Sequence, residues 1–99
     1  MTPVRFEPEA LDELDAIYCY YESLSQGLGD RLRQQVRDKL SVMAEHPEAY
    51  PIWEGQVRRT TVRAFPYSIY YRCGAGEVRV IAVLYAGADP EFVSRRIIG

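Results

Sequence analysis

The side chains best suited to recognition chemistry are seven arginines in the C-terminal half: Arg58, Arg59, Arg63, Arg72, Arg79, Arg95 and Arg96. After Glu54 they face only Glu77, Asp89 and Glu91, whereas residues 1–54 hold five basic residues against eleven acidic ones. A guanidinium fork grips phosphate or carboxylate through paired hydrogen bonds. This split therefore points to an anionic partner, either nucleic acid or an acidic protein segment. The plainer alternative is that the arginines solvate exposed strands. In an extended chain side chains alternate, so Arg59, Thr61 and Arg63 share one face while Arg58, Thr60 and Val62 share the other. Downstream, Tyr67, Ile69 and Tyr71 alternate against Ser68, Tyr70 and Arg72. Arginines beside tyrosines can hold a phosphate while a ring stacks on a base, or can receive carboxylates from a protein. The reading favoured for Tyr67, Ile69 and Tyr71 is core packing beneath helices.

Other reactive types offer less. His46 is the sole histidine and precedes Pro47 at an expected helix end, where it serves the terminal carbonyls better than catalysis. Cys19 and Cys73 lack metal-ligand spacing, so no metal and no cofactor is expected. In a cytosolic domain both are expected as free thiols. There is no compelling Ser/His/Asp arrangement and no phosphate-cradling glycine loop.

The elements that must position these residues follow from periodicity. Residues 3–6 predict a short strand that ends where Pro8 and Glu9 open a helix. Ala10, Leu11, Leu14, Ile17, Tyr18, Tyr21 and Leu24 then recur at three- and four-residue steps up to about Ser25, one face of a helix. Gly27 and Gly29 break it, and Asp30 is expected to cap a second helix running to about His46, with Leu32, Val36, Leu40 and Met43 as its stripe. After Gln56 the period becomes two. Strands are predicted over residues 57–65, 67–73 and 78–85, with Gly74-Ala75-Gly76-Glu77 as a hairpin loop. The last of these is apolar on both faces from Val80 to Leu84. It should be a central strand covered on both sides, or on one side by the helices and on the other by a partner. Gly87 and Pro90 end the sheet and leave residues 91–99 as a tail. The fold class is α+β: a short N-terminal strand and a helical hairpin packed on a twisted antiparallel sheet.

With 99 residues the chain is expected to form a single domain, 1–99, with one core. It has no run of about 18 apolar residues and no signal-peptide block, so no membrane span and a cytoplasmic setting are expected.

Several segments, in order, carry a family resemblance. Ala10-Leu11-Asp12-Glu13-Leu14-Asp15-Ala16-Ile17 with Tyr20-Tyr21-Glu22 resembles the opening helix of the RelE/ParE toxin superfamily. Gly27-Leu28-Gly29-Asp30-Arg31-Leu32 is similar to its helix junction. His46-Pro47-Glu48-Ala49-Tyr50-Pro51 is similar to the segment closing the second helix. The block from Arg58 through Phe65-Pro66-Tyr67 to Tyr71-Arg72 resembles its sheet signature. The resemblance implies a toxin of a type II toxin–antitoxin system, held inactive in a hetero-oligomer by a cognate antitoxin. It also implies one of two activities. RelE-like members cut messenger RNA on the ribosome, and ParE-like members poison DNA gyrase without being nucleases.

Metal-free RNA cleavage needs a base for the 2′-hydroxyl, a cation for the phosphate and an acid for the leaving oxygen. At the positions where relatives place a histidine and an arginine in the final loop, this chain has Tyr85 and Ala88, and Ser68 stands where such nucleases can carry an arginine. Arg59, Arg63, Arg79 and Tyr85 remain as weak catalytic candidates, although tyrosine is a poor base at neutral pH. The expectation is therefore a ParE-like toxin acting by binding. Its antitoxin or target contacts are expected from Arg58, Arg59, Arg63, Arg72, Arg79, Arg95 and Arg96. The alternatives are a ribosome-dependent endoribonuclease acting on mRNA, and a decayed toxin that only binds antitoxin.

Overall fold

The first helix, α1 (Pro8–Leu24), starts as its sequence requires, with proline in the first turn where no amide partner is needed. The preceding three-residue strand β1 (Val4–Phe6) delivers the chain to it. The structure, a computed structural model, describes residues 1–98. Helix α1 buries Ala10, Leu14 and Ile17, whereas Leu11 and Leu24, expected in the same stripe, lie at its flanks and stay exposed. The second helix, α2 (Leu28–Glu45), buries Leu32, Val36 and Met43.

The junction between the helices corrects one expectation. Asp30 is not the cap, because α2 begins two residues earlier, behind a left-handed Gly27 at φ 88°. The cap is supplied from α1: the Glu22 carboxylate accepts the Gly27 and Gly29 amides, both at 2.9 Å. Placing a carboxylate on these free amides also suits the positive end of the helix dipole. Gly29 is required by proximity. A β-carbon there would sit 2.8 Å from the Tyr18 carbonyl oxygen and 2.7 Å from its ring, so only glycine lets the helices approach this closely. One turn on, the Arg33 guanidinium stacks 3.6 Å over the Tyr18 ring.

Five strands form one mixed sheet in the order β1-β5-β4-β3-β2, with β2 (Ile52–Glu54), β3 (Val57–Thr61), β4 (Tyr67–Gly74) and β5 (Glu77–Tyr85). The meander β2 to β5 is antiparallel throughout, and β1 adds in parallel to the outer edge of β5. A bulge at Ile81, where Tyr70 faces Ala82 but Tyr71 faces Val80, switches the alternation of β5. As a result Val78, Val80 and Val83 lie under the helical hairpin with Ile69 and Tyr71. Ile81, Ala82 and Leu84 join Tyr70 on the opposite face.

That opposite face holds a second correction. Residues 91–99 are expected as a tail, but Pro90–Ile98 is a helix, α3, and Gly99 lies outside the described residues. Asp89 accepts the Glu91 amide at 2.8 Å, Pro90 occupies the first turn, and Val93 and Ile97 are buried one turn apart. Proline here starts a helix after ending a strand. The apolar run of β5 is thus covered on both sides by the chain's own helices. The strands also differ from expectation at β2 and at the end of β3. The short β2 was not anticipated, and β3 ends at Thr61 because Val62 and Phe65 turn into the core around a tight Phe65–Tyr67 contact.

Candidate functional site

Sequence reasoning pooled seven arginines as binding residues, and the fold gives them different work. Arg58 points under the edge of the helical hairpin, where its Nη1 donates to the carbonyls of Tyr50 at 2.8 Å and Glu48 at 3.3 Å. The same segment is held from the sheet by Tyr71, whose hydroxyl donates to the Pro47 carbonyl at 2.9 Å, with the Cys73 thiol on the same oxygen at 3.3 Å. Burial pushes the Tyr71 phenol and the Cys73 thiol above their ordinary values. Cys19, by contrast, is exposed, and both cysteines are free thiols.

Arg96 is more deeply engaged. It forms a two-pronged pair with Glu13 of α1, Nε and Nη2 each donating at 2.9 Å, and Nη2 also donates to the Ile81 carbonyl at 3.1 Å. Glu13 in turn accepts the Val83 amide at 3.1 Å. The reason lies in the sheet. Strand β1 bonds β5 only as far as the Glu7 amide on Val80, so beyond that point the β5 edge has no neighbour strand. Glu13 and Arg96 occupy its place, one accepting from and one donating to the bare main chain. The residues lie 83 positions apart, and no sequence signal joins them.

The remaining arginines lie at the surface. Arg59 pairs across strands with Tyr70 and so stands on the α3 face, half-buried. Arg63 is exposed in the bend after β3, and Arg95 is exposed on α3 beside Trp53, Glu54 and Ser94. Arg72 and Arg79 are direct cross-strand partners on the α3 face, beyond the end of that helix. Glu77 holds Arg79 at 2.8 Å, an interaction that keeps the Glu77 carboxyl below the usual carboxylate range.

Tyr85 stands at the opposite end of β5. It faces Tyr67 across the strands, ring centroids 6.3 Å apart, and is 55% exposed. Gly87 lies against its ring so closely that a β-carbon would be 2.7 Å away. Behind Tyr67, an edge-to-face chain continues through Tyr21 to Phe65 at 4.9 Å. Tyr67, Ile69 and Tyr71 are thus packed with the hairpin core.

The catalytic candidates do not converge. Arg79 and Tyr85 are six positions apart on β5, roughly 20 Å at strand spacing, and Tyr85 shares Tyr67's face whereas Arg59 and Arg79 occupy the other. His46 is at the C-terminal end of α2, near Pro47 and the Cys73 end of β4, far from Tyr85. Among the described residues no group of three or more His, Cys, Asp or Glu side chains is placed to hold a metal, and no helix is long and apolar enough to cross a membrane.

A two-helix hairpin on a sheet of this order defines a RelE/ParE-like α+β fold, and solved structures share it. A chain of the chromosomal ParDE TA system from P. aeruginosa superposes with a TM-score of 0.74 at 20% identity, covering 86% of this chain and 96% of that one. The isolated E. coli RelE toxin superposes with a TM-score of 0.65 at 22% identity, covering 96% and 95%. The family model described as the ParE toxin of the type II toxin–antitoxin system, parDE, matches residues 4–90, and the chain belongs to that family. No curated protein gives a significant sequence match.

Proposed function

We propose that this chain is the toxin of a type II toxin–antitoxin pair, neutralised in the cytoplasm by a cognate antitoxin, and that when free it acts by binding a target such as DNA gyrase. The observation that carries the reading is the scatter of the catalytic candidates. Arg59, Arg63, Arg79 and Tyr85 are distributed over two faces and both ends of the sheet. RNA cleavage needs base, cation and acid within hydrogen-bond reach of one phosphodiester. Family membership supplies the rest, since a ParE-type toxin implies an antitoxin partner.

Inducing the chain alone in a bacterium tests this directly. The expected result is growth arrest with gyrase-linked DNA breaks and intact transcripts, relieved by co-expressing the product of the adjacent small reading frame. Rapid transcript cleavage at ribosomal positions would support the endoribonuclease alternative instead. Normal growth with retained antitoxin binding would identify a decayed toxin.

A further inference from the structure

Three arginines line up across three adjacent strands. Arg5 on β1 is the register partner of Arg79 on β5, and Arg79 is the register partner of Arg72 on β4. Like charges directly opposite each other weaken a sheet, and this row carries that cost twice over. One carboxylate relieves it in part. Glu77 binds Arg5 at 3.1 Å and Arg79 at 2.8 Å, while among the described residues Arg72 has no acidic partner within 4.0 Å. The row is exposed among the described residues, beside a shallow depression of about 410 Å³ lined by Arg72, Arg79, Glu7 and Glu77. Ile98, 76% exposed, ends α3 close by, where Ile97 and Ile98 line an adjoining hollow with Arg72.

We propose that the Arg5–Arg79–Arg72 row docks an acidic, partly apolar peptide segment of a partner protein. The inference rests on the antitoxin reading, for which the segment would belong to the antitoxin. The Arg72 guanidinium can donate two-pronged to an incoming carboxylate, Arg5 and Arg79 keep donors beyond those that Glu77 takes, and Ile98 offers apolar contact beside them. Glu7 and Glu9 on the rim decide between anions. A phosphodiester backbone carries charge at every unit and would run against them, whereas a peptide can set its carboxylates over the arginines and a neutral residue beside Glu7. The chain's net charge of −2 likewise offers no wide basic field for nucleic acid.

The full chain is titrated with a fluorescein-labelled peptide of interleaved Glu and Leu residues and with a single-stranded DNA oligonucleotide of equal charge. The wild-type chain is expected to prefer the peptide. Arg72→Glu combined with Arg79→Glu should weaken it roughly tenfold or more, and Arg37→Glu, exposed on α2 and outside the row, should leave it nearly unchanged. Both variants alter exposed side chains, and circular dichroism confirms their fold. Preference for the oligonucleotide, or peptide binding indifferent to the double reversal, overturns the proposal. Capture of the adjacent gene's product is measured in parallel. If the double reversal binds it as well as wild type, the row is refuted and the antitoxin reading stands. If wild type fails to bind it while the row-dependent peptide binding holds, the antitoxin reading falls and the row stands.

Discussion

Removing the Arg96 guanidinium should unfasten the far edge of the sheet. Arg96→Ala deletes two charge-assisted hydrogen bonds to Glu13 and one to the Ile81 carbonyl. The side chains of the pair are 17% and 23% exposed, between the fully buried case and the surface case. Breaking a buried pair costs about 3–5 kcal/mol and losing an exposed one about 0–1 kcal/mol. About 2 kcal/mol is therefore expected, a fall in Tm of roughly 10 °C for a domain of this size. Urea unfolding of Arg96→Ala, Glu13→Ala and the double variant should give a coupling of about 1–2 kcal/mol. A sharper test separates this pair from an ordinary buried ion pair, which an apolar replacement often matches in stability. Here Glu13→Leu with Arg96→Met would leave the Val83 amide and the Ile81 carbonyl without partners, at a cost of about 1–3 kcal/mol. If that double variant is as stable as wild type, the pair does not cap the β5 edge and the reasoning is wrong.

The helix junction should be equally sensitive. Gly29→Ala forces a β-carbon against the Tyr18 carbonyl, which cannot rotate away as a side chain could, and should cost about 1–3 kcal/mol in urea unfolding; a neutral result would mean the helices separate freely. Glu22→Ala removes the acceptor for two amides at the start of α2 and should cost about 1 kcal/mol, visible also as faster hydrogen exchange at Gly27 and Gly29. Tyr71→Phe loses the bond to Pro47, about 1 kcal/mol near neutral pH. Because burial raises the Tyr71 phenol, the unfolded chain releases its proton first, so stability falls as pH rises from the ordinary phenol range through the folded value. The gap between wild type and Tyr71→Phe should thus narrow between about pH 8 and about pH 11, and an unchanged gap refutes the assignment.

The helical hairpin could be read from the sequence because its signal is local. Ala10, Leu14 and Ile17, then Leu32, Val36 and Met43, repeat at helical spacing over about two and about three turns, and burial follows that repeat. Strands β4 and β5 were visible for a similar reason, as apolar runs on either side of a glycine turn. The features that escaped depend on distant partners or on short segments. Strand β2 has three residues between Pro51 and Gly55, and its pairing with Arg58 is mainly a main-chain matter. Helix α3 did have a local signal, Asp89-Pro90 followed by Val93 and Ile97, but Pro90 read first as the end of a strand. The bulge at Ile81 has no sequence mark, and it decides which β5 residues face α3.

The candidate site was harder to read, because a count of arginines cannot say which of them the fold consumes. Arg58 and Arg96 turn inward and donate to main-chain carbonyls, one at a loop and one at a sheet edge. Arg79 shares Glu77 with Arg5, which the sequence places in the acidic N-terminal half and only the parallel register of β1 brings beside Arg79. Arg59, Arg63, Arg72 and Arg95 have no side-chain ion pair among the described residues. The charge asymmetry between the two halves of the chain therefore has two physical origins, internal fastening and an open surface. Mutagenesis should resolve them: charge reversal at Arg58 or Arg96 acts through stability, and reversal at Arg72 or Arg79 acts through binding on an intact fold. A partner-binding defect seen with Arg96 alone would say nothing about contact with the partner until the unfolding midpoint had been measured.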